Sequence, residues 1–384
     1  MKSGVYVHIP FCASKCHYCD FLSFADCSNY LKKDYVTAIC KEIEFASEEF
    51  PNLSIDTIYI GGGTPTVLPP YWINGILSTI RQNFNVLPKA EITVEANPCT
   101  TSPNITRLKL GYVNRISLGL QSTCNKKLSL LNRIHTMEDF LKNFHSARQL
   151  RFNNINIDLM FALPNQDINE WRETLETVIN LSPEHISVYS LTPAEGTPLY
   201  DDIKSGRIVL PDDSIDRDMY HLARQMLNQA GYNQYELSNF AKPNYESKHN
   251  INCWKRKPYI GFGIGAHSFM NSCRWNNTKV LKRYLDVFLN PSYNTANEAK
   301  TLNEIREETQ KISQDEAMAE TMILGLRLTQ GVCIQDFKEI FDVSPTEKYN
   351  LDTLVKNGLL IINDEYISLT ARGMDLANQV FMTF

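Results

Sequence analysis

Residues 4–20 read GVYVHIPFCASKCHYCD, and residues 55–66 read IDTIYIGGGTPT. Each stretch joins a short run rich in Val, Ile and Tyr to a segment that cannot prolong it. That segment holds three cysteines in the first stretch and three glycines with a Thr-Pro pair in the second. β-Branched and aromatic residues favour pleated backbone, and glycine and proline punctuate it. Both stretches therefore read as strands whose C-terminal ends carry chemically loaded loops. The run-and-stop pattern recurs as AEITVEA at 90–96, NRISLGL at 114–120, NINIDLM at 154–160 and HISVYSL at 185–191.

Helical periods separate these strands. Leu31, Tyr35, Ile39, Ile43, Ala46 and Phe50 recur at steps of three and four and form one apolar stripe. Further helices are expected after Pro70, over 137–150 and over 168–181. Strands alternating with helices imply right-handed βαβ units and a parallel sheet. Six such units make the expected fold class α/β, a partial TIM-like (β/α)6 barrel. Barrels of this kind gather their sites at the C-terminal ends of the strands. The cysteine loop, Gly61-Gly62-Gly63-Thr64, Glu95, Gln121 and Asp158 should then share one rim.

Residues 290–313 are polar without a sustained apolar period and are read as a linker. Beyond them, Ser313 with Glu316 and Ser344 with Glu347 form capping-box patterns, and Pro345 suits a first helical position. Gly358 should stop that second helix. LLIIN and EYISL then suggest a hairpin around Asn363-Asp364, followed by a last helix to Phe384. The expectation is a C-terminal helical, winged-helix-like module used for packing. The domains are thus read as a barrel at 1–235, a barrel extension carrying HNINCW and GFGIG at 236–300, and the module at 301–384.

Composition narrows the function. Of 384 residues, 43% are hydrophobic and 21% are charged, and the formal net charge is −5. No basic run suggests nucleic acid or an anionic membrane, and no apolar stretch approaches the ~20 residues that span a bilayer. The N-terminus enters a strand without a secretory pattern, so a cytoplasmic protein is expected. The chain has 10 cysteines, which in a protein of this size do not indicate a disulfide framework. Cys12, Cys16 and Cys19 crowd into eight residues, a 4-then-3 spacing that composition alone produces in about one chain in a hundred.

Three thiolates on one loop can hold three irons of a [4Fe-4S] cubane and leave the fourth iron open. S-adenosylmethionine offers an amino and a carboxylate group for that corner, which places its sulfonium beside the cluster. One electron from the cluster can then cleave the S–C bond and release a 5′-deoxyadenosyl radical. Zinc is the rival metal, with His17 or Cys27 as a fourth ligand. Structural zinc sites usually combine two close ligand pairs, and no second pair is present. The glycine turn is weak by itself; beside the cysteine loop it becomes a second wall of the same site.

The string YVHIPFC-x3-C-x-YC, with GGGTPT, Glu95, SLGLQS at 117–122, LLNRIHT at 130–136 and NIDLMFALP at 156–164, resembles the radical S-adenosylmethionine superfamily. More narrowly it resembles the oxygen-independent coproporphyrinogen III oxidase group, and the likeness runs over essentially the whole chain. The resemblance implies that Cys12, Cys16 and Cys19 ligate the cluster and that Tyr18 packs near the adenosine. It implies Gly62, Gly63 and Thr64 at the methionine amino end, Glu95 at the ribose hydroxyls and Arg133 at a carboxylate. Tyr6, Gln121 and Asp158 would line the same cavity. A rim ion pair is the plainer reading of Arg133 and Asp158.

Within that group, the oxidases carry a further cysteine two positions after the third ligand and an N-terminal extension. Here Cys19 is followed by Asp20-Phe21, and the strand begins almost at once. Both features resemble the HemW-type heme-chaperone branch, which has an HNxxYW motif. Residues 249–254 read HNINCW, with Cys253 at the Tyr position, and GFGIGAHS follows at 261–268. His and Cys both ligate heme iron, so His249 and Cys253 are candidate heme ligands, with His267 a weaker one. A hydrogen-bonded histidine and a buried thiol are the alternatives. The implied partners are heme or porphyrin and a heme-acceptor protein, with a homodimer as the implied assembly. The competing function is radical decarboxylation of coproporphyrinogen III propionates.

Overall fold

The computed structural model describes residues 2–98, 108, 109, 111–290 and 298–384. Six strands succeed one another in space as in sequence: β1 (Lys2–Ile9), β2 (Ser54–Gly62), β3 (Asn85–Ala96), β4 (Arg115–Gln121), β5 (Ile155–Phe161) and β6 (His185–Ser190). Every neighbouring pair is parallel. Crossover helices include α1 (Asn29–Glu49), α2 (Pro70–Asn83), α3 (Asn125–Leu130), α4 (Met137–Gln149) and α5 (Ile168–Leu181). Their starts follow local chemistry. Ser28 accepts from the Leu31 N–H, Pro70 occupies the first helical turn, Thr136 and Asp139 form a capping box, and Asp167 caps α5.

Alternation along the strands divides the residues sharply. Val5, Val7, Ile58, Ile60, Ile116, Leu118, Ile155, Ile157, Ile186 and Val188 are buried in one apolar core with the helices. The opposite face is polar: Thr57 and Tyr59, Thr93 and Glu95, Arg115 and Ser117, Asn156 and Asp158, His185 and Ser187. Ordinary barrel interiors are filled by branched apolar side chains. A polar lumen therefore marks this barrel as a container for chemistry.

The sheet extends past both ends of the six-strand set. After α6 (Pro198–Lys204) and α7 (Asp213–Gln229), β8 (Asn239–Ala241) pairs antiparallel with β6, and β7 (Asn233–Gln234) pairs antiparallel with β8 at the sheet edge. α8 (Lys248–Trp254) follows, and β9 (Tyr259–Phe262) lies parallel to β1. β10 (His267–Met270), β11 (Cys273–Asn277) and β12 (Arg306–Lys311) continue antiparallel. The result is a 12-stranded sheet whose order runs from β12 to β7 without closing. α9 (Leu281–Leu289) packs on α1, as does α10 (Glu298–Asn303).

The linker expected at 290–313 is corrected in part. Residues 306–311 form β12, an exposed edge strand whose polar side chains hide its period. Residues 291–297 of that stretch lie outside the described residues. Past it come α11 (Gln314–Gly325), β13 (Val332–Cys333), α12 (Ile334–Phe341), α13 (Pro345–Lys348), α14 (Asp352–Lys356), β14 (Leu360–Ile362) and β15 (Tyr366–Leu369). Both capping boxes form. The helix expected from Pro345 to Gly358 is broken into α13 and α14, and the last helix into α15 (Ala371–Asp375) and α16 (Ala377–Phe381). Helices around a three-stranded antiparallel sheet enclose a second core of Met322, Leu326, Phe337, Ile367 and Val380. No helix among the described residues is long and apolar enough to cross a membrane.

Candidate cofactor site

A cavity of about 410 Å³ opens at the C-terminal rim, and Cys12, Cys16 and Cys19 all line it. Hydrogen bonds hold their loop from two sides. On one side the Gly63 N–H donates to Ile9 O (2.9 Å) and the Thr64 N–H to Phe11 O (2.8 Å). On the other, the His17 N–H donates to Leu131 O (3.1 Å) and Asn132 Nδ2 to Lys15 O (2.8 Å). The glycines are needed here for space. A Cβ on Gly63 would stand 2.7 Å from Phe11 O and 3.0 Å from Cys12 Sγ, and Gly62 adopts φ +112°.

All three sulfurs have polar neighbours, with the Phe21 backbone bonding to Cys19. Thr64 Oγ1 lies 3.8 Å from Cys12 Sγ, and Arg133 Nη1 lies 3.5 Å from Cys16 Sγ. Arg133 Nη2 also donates to Gly119 O at 2.7 Å, while its buried Nε has no hydrogen-bond partner among the described residues. Burial pushes the thiol pKa values of Cys12 and Cys19 upward. Three soft donors, a guanidinium with a spare buried N–H and a glycine-walled recess match the demands of an iron–sulfur cluster and an amino-acid head group.

The cavity floor is acidic. Glu95 accepts from the Tyr59 hydroxyl (2.7 Å) and from the Gly62 N–H (3.1 Å), and burial pushes its pKa up to about 7. Asp158 accepts from Ser117 Oγ (3.0 Å) and Asn156 Nδ2 (2.8 Å), and burial raises its pKa also. Gln121, at φ +71°, Tyr18, Gly62, Gly63, Thr64 and Arg133 stand on the same wall. The structure thus brings together the cysteines and every residue expected around S-adenosylmethionine except Tyr6. Tyr6 is not among the lining residues: its ring stacks on Tyr59, which is one of them (6.3 Å between centroids), and its hydroxyl meets His8 Nδ1 at 3.0 Å.

Sequence reasoning missed the layer beneath. His185 Nδ1 lies 2.6 Å from Asn156 Oδ1, which can only accept, so the ring proton sits on Nδ1 and the Tyr235 hydroxyl donates to Nε2 (2.8 Å). Arg115, 2% exposed, leaves its Nε without a partner among the described residues, as does Thr93 Oγ1. The available signal was polar residues at every second position of strands whose other face is wholly apolar.

The HNINCW segment forms α8, and its two candidate ligands go to different places. His249 is buried, with Nδ1 3.0 Å from Thr57 Oγ1 and its ring stacked on Tyr59 (5.2 Å between centroids). Its backbone N–H donates to Glu91 Oε1 (3.1 Å), and burial followed by the charge of Arg115 pushes its pKa down to about 4. Cys253 instead lines a second cavity of about 370 Å³ that His267 also lines. Burial pushes the Cys253 thiol up to about 11.

Comparison with known proteins places this geometry. The radical SAM superfamily matches residues 6–178, and the HemN C-terminal domain matches residues 312–376. The heme chaperone HemW of Bacillus subtilis is 34% identical over 100% of this chain and 99% of its own length. The heme chaperone HemW of Lactococcus lactis is also 34% identical, over 100% of this chain and 97% of its own. Among solved structures, the coproporphyrinogen III oxidase HemN of Escherichia coli superposes with a TM-score of 0.82 at 24% identity, covering 100% of this chain and 89% of that one, a likeness of fold. The chain belongs to the HemW family of radical SAM proteins.

Proposed function

We propose that this protein is a heme chaperone that binds heme and hands it to an acceptor protein. The observation that carries this reading is the end-to-end similarity to curated heme chaperones, at 34% identity. Radical SAM proteins use a [4Fe-4S] cluster and S-adenosylmethionine, and the rim cavity has the donors for both. Cys12, Cys16 and Cys19 would hold three corners of the cluster. Gly62, Gly63 and Thr64 would meet the methionine amino end, Arg133 its carboxylate, Glu95 the ribose hydroxyls and Tyr18 the adenosine. Gln121 and Asp158 complete the wall.

When bound, the cluster supplies single electrons at low potential to the sulfonium compound. This chain's residues contribute orientation and dryness. Arg133 places one cation between the Gly119 carbonyl and the Cys16 sulfur. Tyr59 and the Gly62 N–H fix Glu95 before any ligand arrives. Asn156 and Ser117 do the same for Asp158. We assign the heme to the region of α8, with Cys253 ahead of His249 as iron ligand, because His249 Nδ1 is engaged by Thr57 inside the barrel. An acceptor protein, and pairing of two chains, would complete the delivery.

Titration of the purified protein with hemin tests the reading. A saturable, near-stoichiometric change in the Soret band is expected. Non-saturable absorbance, equal to that of an unrelated protein, would remove heme from the function.

A further inference from the structure

The cavity beside Cys253 lies away from the cluster, between α8, the β9–β11 strands and α11 of the C-terminal module. Its walls are aromatic: Trp254, Tyr259 and Phe269 line it. Arg256, Lys257 and Arg274 supply three cations there against one carboxylate, Glu320. Arg256 Nε and Arg274 Nη1 each donate to Glu320 at 2.7 Å, and the Arg256 guanidinium lies 4.4 Å from the Phe269 ring centroid. Even so, two buried donors on this lining, Arg256 Nη2 and Trp254 Nε1, have no partner among the described residues. Unpartnered buried donors are costly, and a ligand that accepts from them removes the cost.

The required ligand is planar and apolar enough for three aromatic walls, anionic enough for an excess of two cations, and able to take a thiol sulfur. A metalloporphyrin with two carboxylates has all of these properties. A free metal ion does not match, since no group of three or more metal-binding side chains forms among the described residues.

We propose that this cavity is the cargo site, with Cys253 Sγ as axial ligand to the iron of a ferric porphyrin and with the porphyrin carboxylates facing Arg256, Lys257 and Arg274. The proposal rests on the heme-chaperone reading and gives it a location. Binding exchanges bonds without redox change: an Fe–S bond forms, the S–H bond and the bond from iron to a departing water break, and the thiol proton passes to solvent. An ordinary thiol is protonated at neutral pH, so loading releases a proton and unloading needs one. Acid then favours release to an acceptor, a useful property in a carrier.

The test is hemin titration of the full-length protein at several pH values, in the wild type and in Cys253→Ser and Lys257→Glu. Wild-type protein should show a thiolate-ligated ferric spectrum and an affinity that rises about tenfold per pH unit while the thiol is protonated. Cys253→Ser should lose the spectrum and the pH slope and bind about tenfold or more weakly. The Lys257 side chain is exposed, so Lys257→Glu tests the cavity without disturbing the core. It should weaken binding several-fold with the thiolate spectrum intact. Saturable binding that neither substitution alters would overturn this site and leave the chaperone reading standing. Absence of saturable binding in the wild type would defeat the chaperone reading itself and the site with it.

Discussion

Gly63 shows how little freedom the rim allows. Its missing side chain admits the Phe11 carbonyl and Cys12 sulfur, so Gly63→Ala must push the cysteine loop outward by several tenths of an ångström. The substituted protein should fold yet retain well under half of the wild-type iron after anaerobic reconstitution, as iron and sulfide analysis would measure. Glu95 makes a different prediction. With its pKa near 7, the carboxylate forms only as the pH rises through that value. S-adenosylmethionine binding that depends on Glu95 accepting ribose hydroxyls should therefore tighten from pH 6 to pH 8. Glu95→Gln should flatten that profile and weaken binding at pH 8 by about 1.5–3 kcal/mol, the worth of a hydrogen bond to a charged group. Calorimetric titration across the pH range measures both.

In the sequence the cysteine loop stood out by its unusual spacing, whereas the roles of Gly63 and Glu95 came from the family resemblance. Arg115, Asn156 and His185 did not stand out, since a single polar residue within a strand normally reads as a solvent-facing one. Here the strands' other face is covered by helices, so the same alternation points into a lumen. The burial of His249 was equally hidden. Nothing in HNINCW reveals that Thr57, nearly two hundred residues earlier, meets the imidazole.

At the scale of elements, α1 ties the glycine-rich loop to the cysteine loop. Glu42, fully buried, accepts from the Gly263 N–H (2.8 Å), from Asn277 Nδ2 (2.6 Å) and from the Tyr284 hydroxyl. Two turns away on α1, Tyr35 donates to His8 O (2.9 Å) and accepts from the Ile264 N–H (3.0 Å). His8 Nε2 in turn meets Leu22 O (2.8 Å), just past the cysteines. Burial pushes the Glu42 pKa up from 4.5 to about 7. The folded chain thus holds this proton more tightly than the unfolded chain does. The stability it contributes is full below pH 4.5 and declines as the pH rises to about 7, with Glu95 adding in the same direction. Glu42→Ala orphans three buried donors and should cost about 3 kcal/mol at pH 7. It should also make stability less dependent on pH between 4.5 and 7. Denaturant melts at a series of pH values check both effects.

The order of the six barrel strands followed from run length and loop chemistry, whereas β12 did not. Its sequence REETQK has no apolar alternation because an edge strand with both faces wet needs none. The breaks between α13 and α14 and between α15 and α16 also escaped notice. Each resulting piece is five residues or shorter, too brief to show a period.

For the whole molecule, ion pairs join the barrel to the C-terminal module at two places: Asp375 on α15 meets Arg217 and His221 on α7, and Glu320 centres the other. Glu320 on α11 binds Arg256 after α8 and Arg274 on β11. The side chains are partly exposed, so solvent screens the attraction. Glu320→Ala should cost about 1–2 kcal/mol through two cations left without a partner, and lower the melting temperature by a few degrees. A thermal melt followed by circular dichroism measures it, and an unchanged melt would mean that the Glu320 pairs add nothing to the other contacts between the two parts.

The central expectation is that Cys12, Cys16 and Cys19 would hold a cluster with one iron left open. Electron paramagnetic resonance of the anaerobically reconstituted, reduced protein, recorded with and without S-adenosylmethionine, examines that directly. The expected result is about four irons and four sulfides per chain, with a cubane signal that shifts when the sulfonium compound is added. A cubane signal indifferent to that compound, or protein that loads zinc and no sulfide, would contradict it.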